Sequence, residues 1–353
     1  MMFMFALYSS SILSSHKSTA MAEKLQNDGI CIPLAVITRW NSQYYTVSRI
    51  IEIPSDKLND YLRELKKDTL ILSQRDISIL NEFVSIFALI AEVFTKAQAD
   101  QSASISLVAP SLLEIYFDLD SELATLKYTG GLCKALLKSM GDRFGGLLKQ
   151  FELLIGVPAT VRSTSELYSD SLFLISPFLD ARFGYRWIMH SKLSDEIKVR
   201  LCETIKRMVI NAASLLHGAD CSKKLDVVTE TPIINCNNIT SNNLKRKTLF
   251  VFSKDQEPLT KKARSSVVEQ VEEEVLLFSK EVSDDSALLF KKANIYPYLN
   301  ALALRVLCVP ASSAPVERVF STSGFVIRPH RSSLTKGMLA KLTFLKCNSD
   351  LIR

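Results

Sequence analysis

Cys308–Gly324 reads CVPASSAPVERVFSTSG, and the rest of the chain is best read outward from it. The stretch combines a turn signal, a helix start and an embedded charged pair. Ser313 as N-cap with Pro315 in the first turn specifies a helix start. Val316, Val319 and Phe320 then fall at helical spacing, and Gly324 is the expected stop. Glu317 and Arg318 sit inside this short helix. On the residues alone they read as a carboxylate favoured by the helix N-terminus and a surface arginine, and a functional pair is the competing reading.

On either side lie two more helical stripes. Tyr296–Leu307 predicts a helix that delivers Cys308 and the motif. Downstream, Val326 and Ile327 give a short extended piece to Pro329 and Arg331. Ser332 or Ser333 then caps a helix over Leu334–Lys346, with Leu334, Met338, Leu342 and Leu345 in one stripe. Wherever these stripes are exposed in a single chain, a partner must cover them.

The 353 residues are 47% apolar and 23% charged, a globular balance with room for two or three domains. Eleven glycines and eleven prolines are few for this length and favour helices over a strand-and-turn architecture. The net charge of +6, from 43 basic against 37 acidic residues, permits contact with nucleic acid without demanding it. Seven cysteines with no CxxC pair suit reduced thiols. With four histidines, a zinc finger has almost no ligands to draw on, and no cofactor is expected. The N-terminal MMFMFALYSSSILSS has a short apolar core with no basic residue before it, which argues against a signal peptide. No later segment approaches about 18 uncharged apolar residues, so no membrane partner is expected.

Along the chain, Ile32–Arg39 is β-branched and predicts a short buried strand. Trp40 reads as a core plug, and Arg39 offers a planar fork suited to phosphate. Asn41 and Ser42 cap a following helix. Helical stripes then run over Asp56–Lys67, Asp76–Thr95, Ile105–Leu119 and Ala124–Ser139, as packing faces of a bundle. Gly145-Gly146 marks a break or a close contact; the spacing of a phosphate loop is missing. In Leu172–Trp187, Asp180 and Arg182 read as a local cap or ion pair fixing a turn. Ser194–Leu216 is a further amphipathic helix. Gly218–Ser265 is polar and aperiodic, an insertion or linker. Its clusters Lys245-Arg246-Lys247 and Lys261-Lys262-Ala263-Arg264 are spaced as a bipartite nuclear-import signal, or else solubilise a loop. Glu269, Glu272, Glu273 and Glu274 follow on a helix through Leu277 and read as a solvated face.

Three blocks together resemble one family. VPASSAPVERVFSTSG with its following helix resembles the C-terminal dimerisation region of hAT-type transposases and their domesticated BED-zinc-finger relatives. Thr38-Arg39-Trp40-Asn41-Ser42 resembles the family's TRWNS segment, and Leu179-Asp180-Ala181-Arg182-Phe183 its LDPRF block. They stand in family order, separated by helical sequence. The chain departs from the pattern at Leu288-Leu289-Phe290-Lys291, where relatives carry a Trp-Trp pair, and it is expected to lack the BED finger.

The resemblance implies a ribonuclease-H-like fold interrupted by a large helical insertion. Catalysis on that fold uses three carboxylates around two divalent metals about 4 Å apart. Glu317 matches the third carboxylate, and the other two belong upstream of the TRWNS strand. The first acidic residue of this chain is Glu23. Glu317 therefore reads as an orphan remnant, with no metal expected. The fold expectation is a mainly α-helical protein with a truncated ribonuclease-H-like remnant. Its parts are a core remnant over 1–50, a helical insertion domain over 51–217, a polar linker or insertion over 218–285 and the dimerisation region over 286–353. The functional expectation is a nuclear, transposase-derived protein that acts by dimerising, with itself or with related hAT-derived proteins, and is not itself an enzyme. A catalytically dead DNA-binding or transcription-related protein is the alternative, and an active DDE-type transposase or nuclease the remoter one. Val316, Val319, Phe320, Leu334, Met338, Leu342 and Leu345 would serve dimerisation and packing. Arg39, Trp40 and Arg318 would meet double-stranded DNA.

Overall fold

A computed structural model describes residues 40–64, 66–98, 103–153, 168–223, 261–326 and 335–349. They are mainly helical, and no strand occurs among the described residues. The strand expected over Ile32–Arg39 lies outside the described residues, and of the span 1–50 given to the ribonuclease-H-like remnant only 40–50 is described, as helix. The chain forms two compact units, residues 1–169 with 310–353, and residues 170–309.

The first unit opens with α1 (Trp40–Ile51), α2 (Ser55–Glu64), α3 (Gln74–Ala97), α4 (Val108–Leu123) and α5 (Gly130–Gln150). Helix α3 is its spine. Ser73 and Asp76 close a capping box at its start: Asp76 N donates to Ser73 Oγ (3.3 Å) and Ser73 N donates to Asp76 Oδ2 (3.0 Å). By length and composition α3 could cross a membrane. Its apolar residues instead feed two clusters. Leu80 joins Val47, Ile50, Ile53, Leu58, Leu62 and Leu72, whereas Ile86 joins Ile115, Leu119 and Cys133. A helix packed on more than one side is apolar around most of its circumference. Each fully buried leucine or isoleucine contributes about 1.5–3 kcal/mol to this packing.

Two polar side chains fix the connections of this unit. Asn59 is buried and pairs with both backbone groups of Leu72: Leu72 N donates to Oδ1 and Nδ2 donates to Leu72 O, each at 2.9 Å. Glu82 on α3 accepts from the backbone N–H groups of Lys127 (2.9 Å), Tyr128 (3.0 Å) and Thr129 (2.8 Å), and from the Thr129 hydroxyl (2.8 Å). Burial works to raise the Glu82 carboxyl, but these donors outweigh it and hold it below the ordinary carboxylate value. The helix expected over Ala124–Ser139 is thereby displaced. The chain turns where Glu82 collects the free donors, and α5 begins at Gly130. Gly145 and Gly146 are buried inside α5 just after a kink at Phe144 (φ −111°, ψ 17°), where the helical course is interrupted.

The second unit contains α6 (Leu172–Leu179), α7 (Arg186–Met189), α8 (Asp195–Lys223), α9 (Lys261–Phe278), α10 (Leu288–Lys291) and α11 (Pro297–Val306). The turn after α6 is the Leu179–Phe183 block. Asp180 is fully buried and holds the Arg182 guanidinium with both oxygens (Nε–Oδ1 3.0 Å, Nη2–Oδ2 2.7 Å) while accepting from Arg182 N (3.1 Å). The pair fixes a turn, as its residues predict. Gly184, at φ +52°, completes it by donating to Pro177 O (3.1 Å), a conformation glycine adopts without penalty. Phe178 leans on Tyr185 and Phe278, and Phe278 on Tyr296. Leu289 is buried, while Phe290 is exposed. In helix α11, Leu299, Leu302, Ala303 and Val306 are fully buried, leaving Leu304 outside. Glu274 of α9, itself buried, accepts from Tyr298 N (3.1 Å) and Leu299 N (2.9 Å) at the start of α11.

The chain then returns to the first unit with α12 (Ala314–Val326) and α13 (Lys336–Cys347). Helix α12 does not stop at Gly324. It continues to Val326, which is buried. An exposed mid-helix glycine costs about 1 kcal/mol relative to alanine, less than burial of a valine returns.

Candidate functional site

The segment Ala311–Arg318 attaches the last two helices to the end of α3. An α-helix ends with carbonyls that have no partner inside it. Three groups of the motif serve this end of the unit. Ser312 Oγ donates to the carbonyl of Ala97 at 3.0 Å, Arg318 Nη2 donates to the carbonyl of Gln98, and Ala311 N donates to the hydroxyl of buried Ser104 at 2.9 Å. A guanidinium beside a helix C-terminus also meets the negative end of the helix dipole. Arg318, a candidate for DNA contact by sequence, is thus seated on a backbone carbonyl of its own fold.

Glu317 takes part in a local arrangement at the start of α12. Its N–H donates to the carbonyl of Ser313 at 3.0 Å, and Ser313 Oγ donates to Glu317 Oε1 at 2.6 Å. Ser313 thus occupies the N-cap position, but its hydroxyl addresses the carboxylate. Among the described residues, no group of three or more His, Cys, Asp or Glu side chains is placed to hold a metal ion.

Beyond this anchor, α12 and α13 pack on each other, with Ser323 Oγ and Thr343 Oγ1 3.1 Å apart and Thr343 buried. Their outer faces are apolar and uncovered. Phe320 is 70% exposed, Val316 51% and Val319 41% on α12; Met338 is 49% and Leu345 51% exposed on α13. Leu342 is half-buried. Between the helices, Phe325, Val326, Leu342, Leu345 and Lys346 line a shallow recess. Leu334 lies outside the described residues. Phe325 (60% exposed) and Phe344 (67%) add to the apolar exterior and were missed by the stripe reading. The apolar residue next to a stripe was the available signal at both positions.

Of the remaining candidates, Trp40 is the first residue of α1, and Arg39, Lys245, Arg246 and Lys247 lie outside the described residues. Lys261, Lys262 and Arg264 belong to the first turn of α9. The structure brings together the motif, the end of α3 and the apolar helix pair.

No curated protein matches the chain. Residues 268–349, from α9 through α13, match the C-terminal dimerisation region of the hAT family. Over these residues the chain is similar to the dimerisation region of hAT-family proteins.

Proposed function

We propose that this chain acts by pairing with a second hAT-type chain through the exposed faces of α12 and α13, and that it does not cut or join DNA on its own. The observation that carries the reading is the uncovered apolar surface of Val316, Val319, Phe320, Met338 and Leu345 inside a dimerisation region. A patch of this kind is removed from water by association, and aromatic and methionine side chains are the usual anchors of such contacts. The engagement of the Glu317 carboxylate with the Ser313 hydroxyl supports the non-catalytic half. The ribonuclease-H-like remnant over the first fifty residues belongs to the same reading, as does nuclear residence directed by the two lysine–arginine clusters.

Light scattering across protein concentration tests the pairing. The wild-type chain is expected as a dimer, and the double variant Phe320→Glu, Met338→Glu as a monomer with unchanged helical circular dichroism. A wild-type chain that stays monomeric at all concentrations rules the proposal out. A second reading, a non-catalytic DNA-binding protein, draws on the net charge of +6 and on Arg39. Its mark would be duplex binding that weakens steeply with salt.

A further inference from the structure

The matched region holds a second amphipathic surface whose charge is opposite to that of α13. Helix α9 buries Val271, Glu274, Val275 and Phe278. Its other face presents Glu269, Glu272 and Glu273, all exposed, followed by Leu276 (54% exposed) and Leu277 (52%). Positions 269, 272, 273, 276 and 277 recur at helical spacing and form one stripe, acidic in its first half and apolar in its second. Helix α13 carries the complement. Lys336, Lys341 and Lys346 are exposed and the helix has no acidic residue. Met338, Lys341 and Leu345 share one line opposite buried Thr343. The matched region begins at residue 268, where the α9 stripe begins, and ends at 349, just past α13.

We propose that the occupant of the α9 stripe is α13 of a second copy of this chain, with Leu276 and Leu277 against Met338 and Leu345, and Glu272 and Glu273 against Lys341 and Lys346. A two-fold dimer repeats every contact, so each copy gives one α13 and receives one on its α9. Apolar residues supply the affinity of such a pairing, and the opposite charges set its register and exclude wrong partners. The assignment rests on the pairing proposed above and specifies its surface.

Charge exchange tests it. The pair Glu272→Lys, Glu273→Lys sets like charges against α13 and is expected to weaken dimerisation at least about ten-fold. The pair Lys341→Glu, Lys346→Glu should do the same. All four sites are exposed, so the fold tolerates these changes, and circular dichroism checks that it does. Combining the four substitutions restores opposite charges and should return the dissociation constant to within about three-fold of wild type. Sedimentation equilibrium gives the constants. A dimer indifferent to the α9 reversal, or a four-fold variant weaker than either pair, overturns the α9–α13 assignment. In that case loss of the dimer in Phe320→Glu, Met338→Glu would still uphold pairing through α12 and α13. A monomeric wild type overturns both.

Discussion

The guanidinium of Arg318 donates to the carbonyl of Gln98, joining residues 220 positions apart at the end of the unit's longest helix. The bond gives the arginine of the hAT-like motif an architectural task. With Ser312 on the neighbouring Ala97 carbonyl, it ties the apolar helix pair α12–α13 to α3. Arg318→Ala should lower stability to urea by about 1 kcal/mol, an exposed charge-assisted bond being worth less than a buried one. Amide exchange should speed up in the first turn of α12. Arg318→Lys should recover only part of the loss, because one ammonium replaces a planar fork.

Glu82 leads to a prediction with a pH sign. Its carboxylate accepts from three successive backbone N–H groups ahead of α5, and its folded value lies below the ordinary one. A carboxylate depressed by folding contributes stability above its unfolded value, about 4.3, and loses it as pH falls through the folded value. Glu82→Ala should therefore cost about 1–2 kcal/mol at pH 7. The gap between variant and wild type should narrow in acid. Urea titrations at pH 7 and at successively lower pH check it.

What could be read from the sequence divides along the same physical line. Helical class, the stripes of α12 and α13, and the turn role of Asp180 and Arg182 depend on neighbours a few residues away. Composition and periodicity report those neighbours. The start of α5 was not legible because the carboxylate that holds the turn before it, Glu82, comes from another helix. Arg318 lies at the surface, as its residue type suggests, but its tie to Gln98 was not legible because the acceptor is a backbone carbonyl, and side-chain identity gives no signal for a carbonyl. Gly324 misled for a related reason: the gain that carries α12 past it, burial of Val326, is tertiary. The stripe of α11 was legible as apolar, but periodicity does not distinguish a face covered by its own chain from one left for a partner.

Glu274 should titrate in the opposite sense. Burial raises its carboxyl, and the N–H groups of Leu299 and Tyr298 only partly counter this. A carboxylate raised by folding contributes stability that is fully present below its unfolded value and is lost as pH rises through the folded one. Glu274→Gln keeps an acceptor for the two N–H groups without the buried charge. It should gain on wild type as pH rises above about 4.3, the unfolded value of glutamate. Glu274→Ala leaves both donors without their carboxylate and should cost about 1–3 kcal/mol. A wild type whose advantage over Glu274→Gln grew with pH would refute the assignment.

Glu317 is where the catalytic and architectural readings part. A carboxylate in a two-metal centre holds its ion together with other carboxylates, and losing one abolishes tight binding. A carboxylate that only receives the Ser313 hydroxyl at a helix start contributes locally, by about 0.3–1 kcal/mol. Glu317→Ala should therefore lower stability within that range and leave the dimer intact. Calorimetric titration with Mn²⁺ should show no saturable two-ion binding in either wild type or variant. Tight uptake of two ions by wild type that disappears in Glu317→Ala would restore the active-site reading, because a surface glutamate engaged only with Ser313 cannot produce that loss.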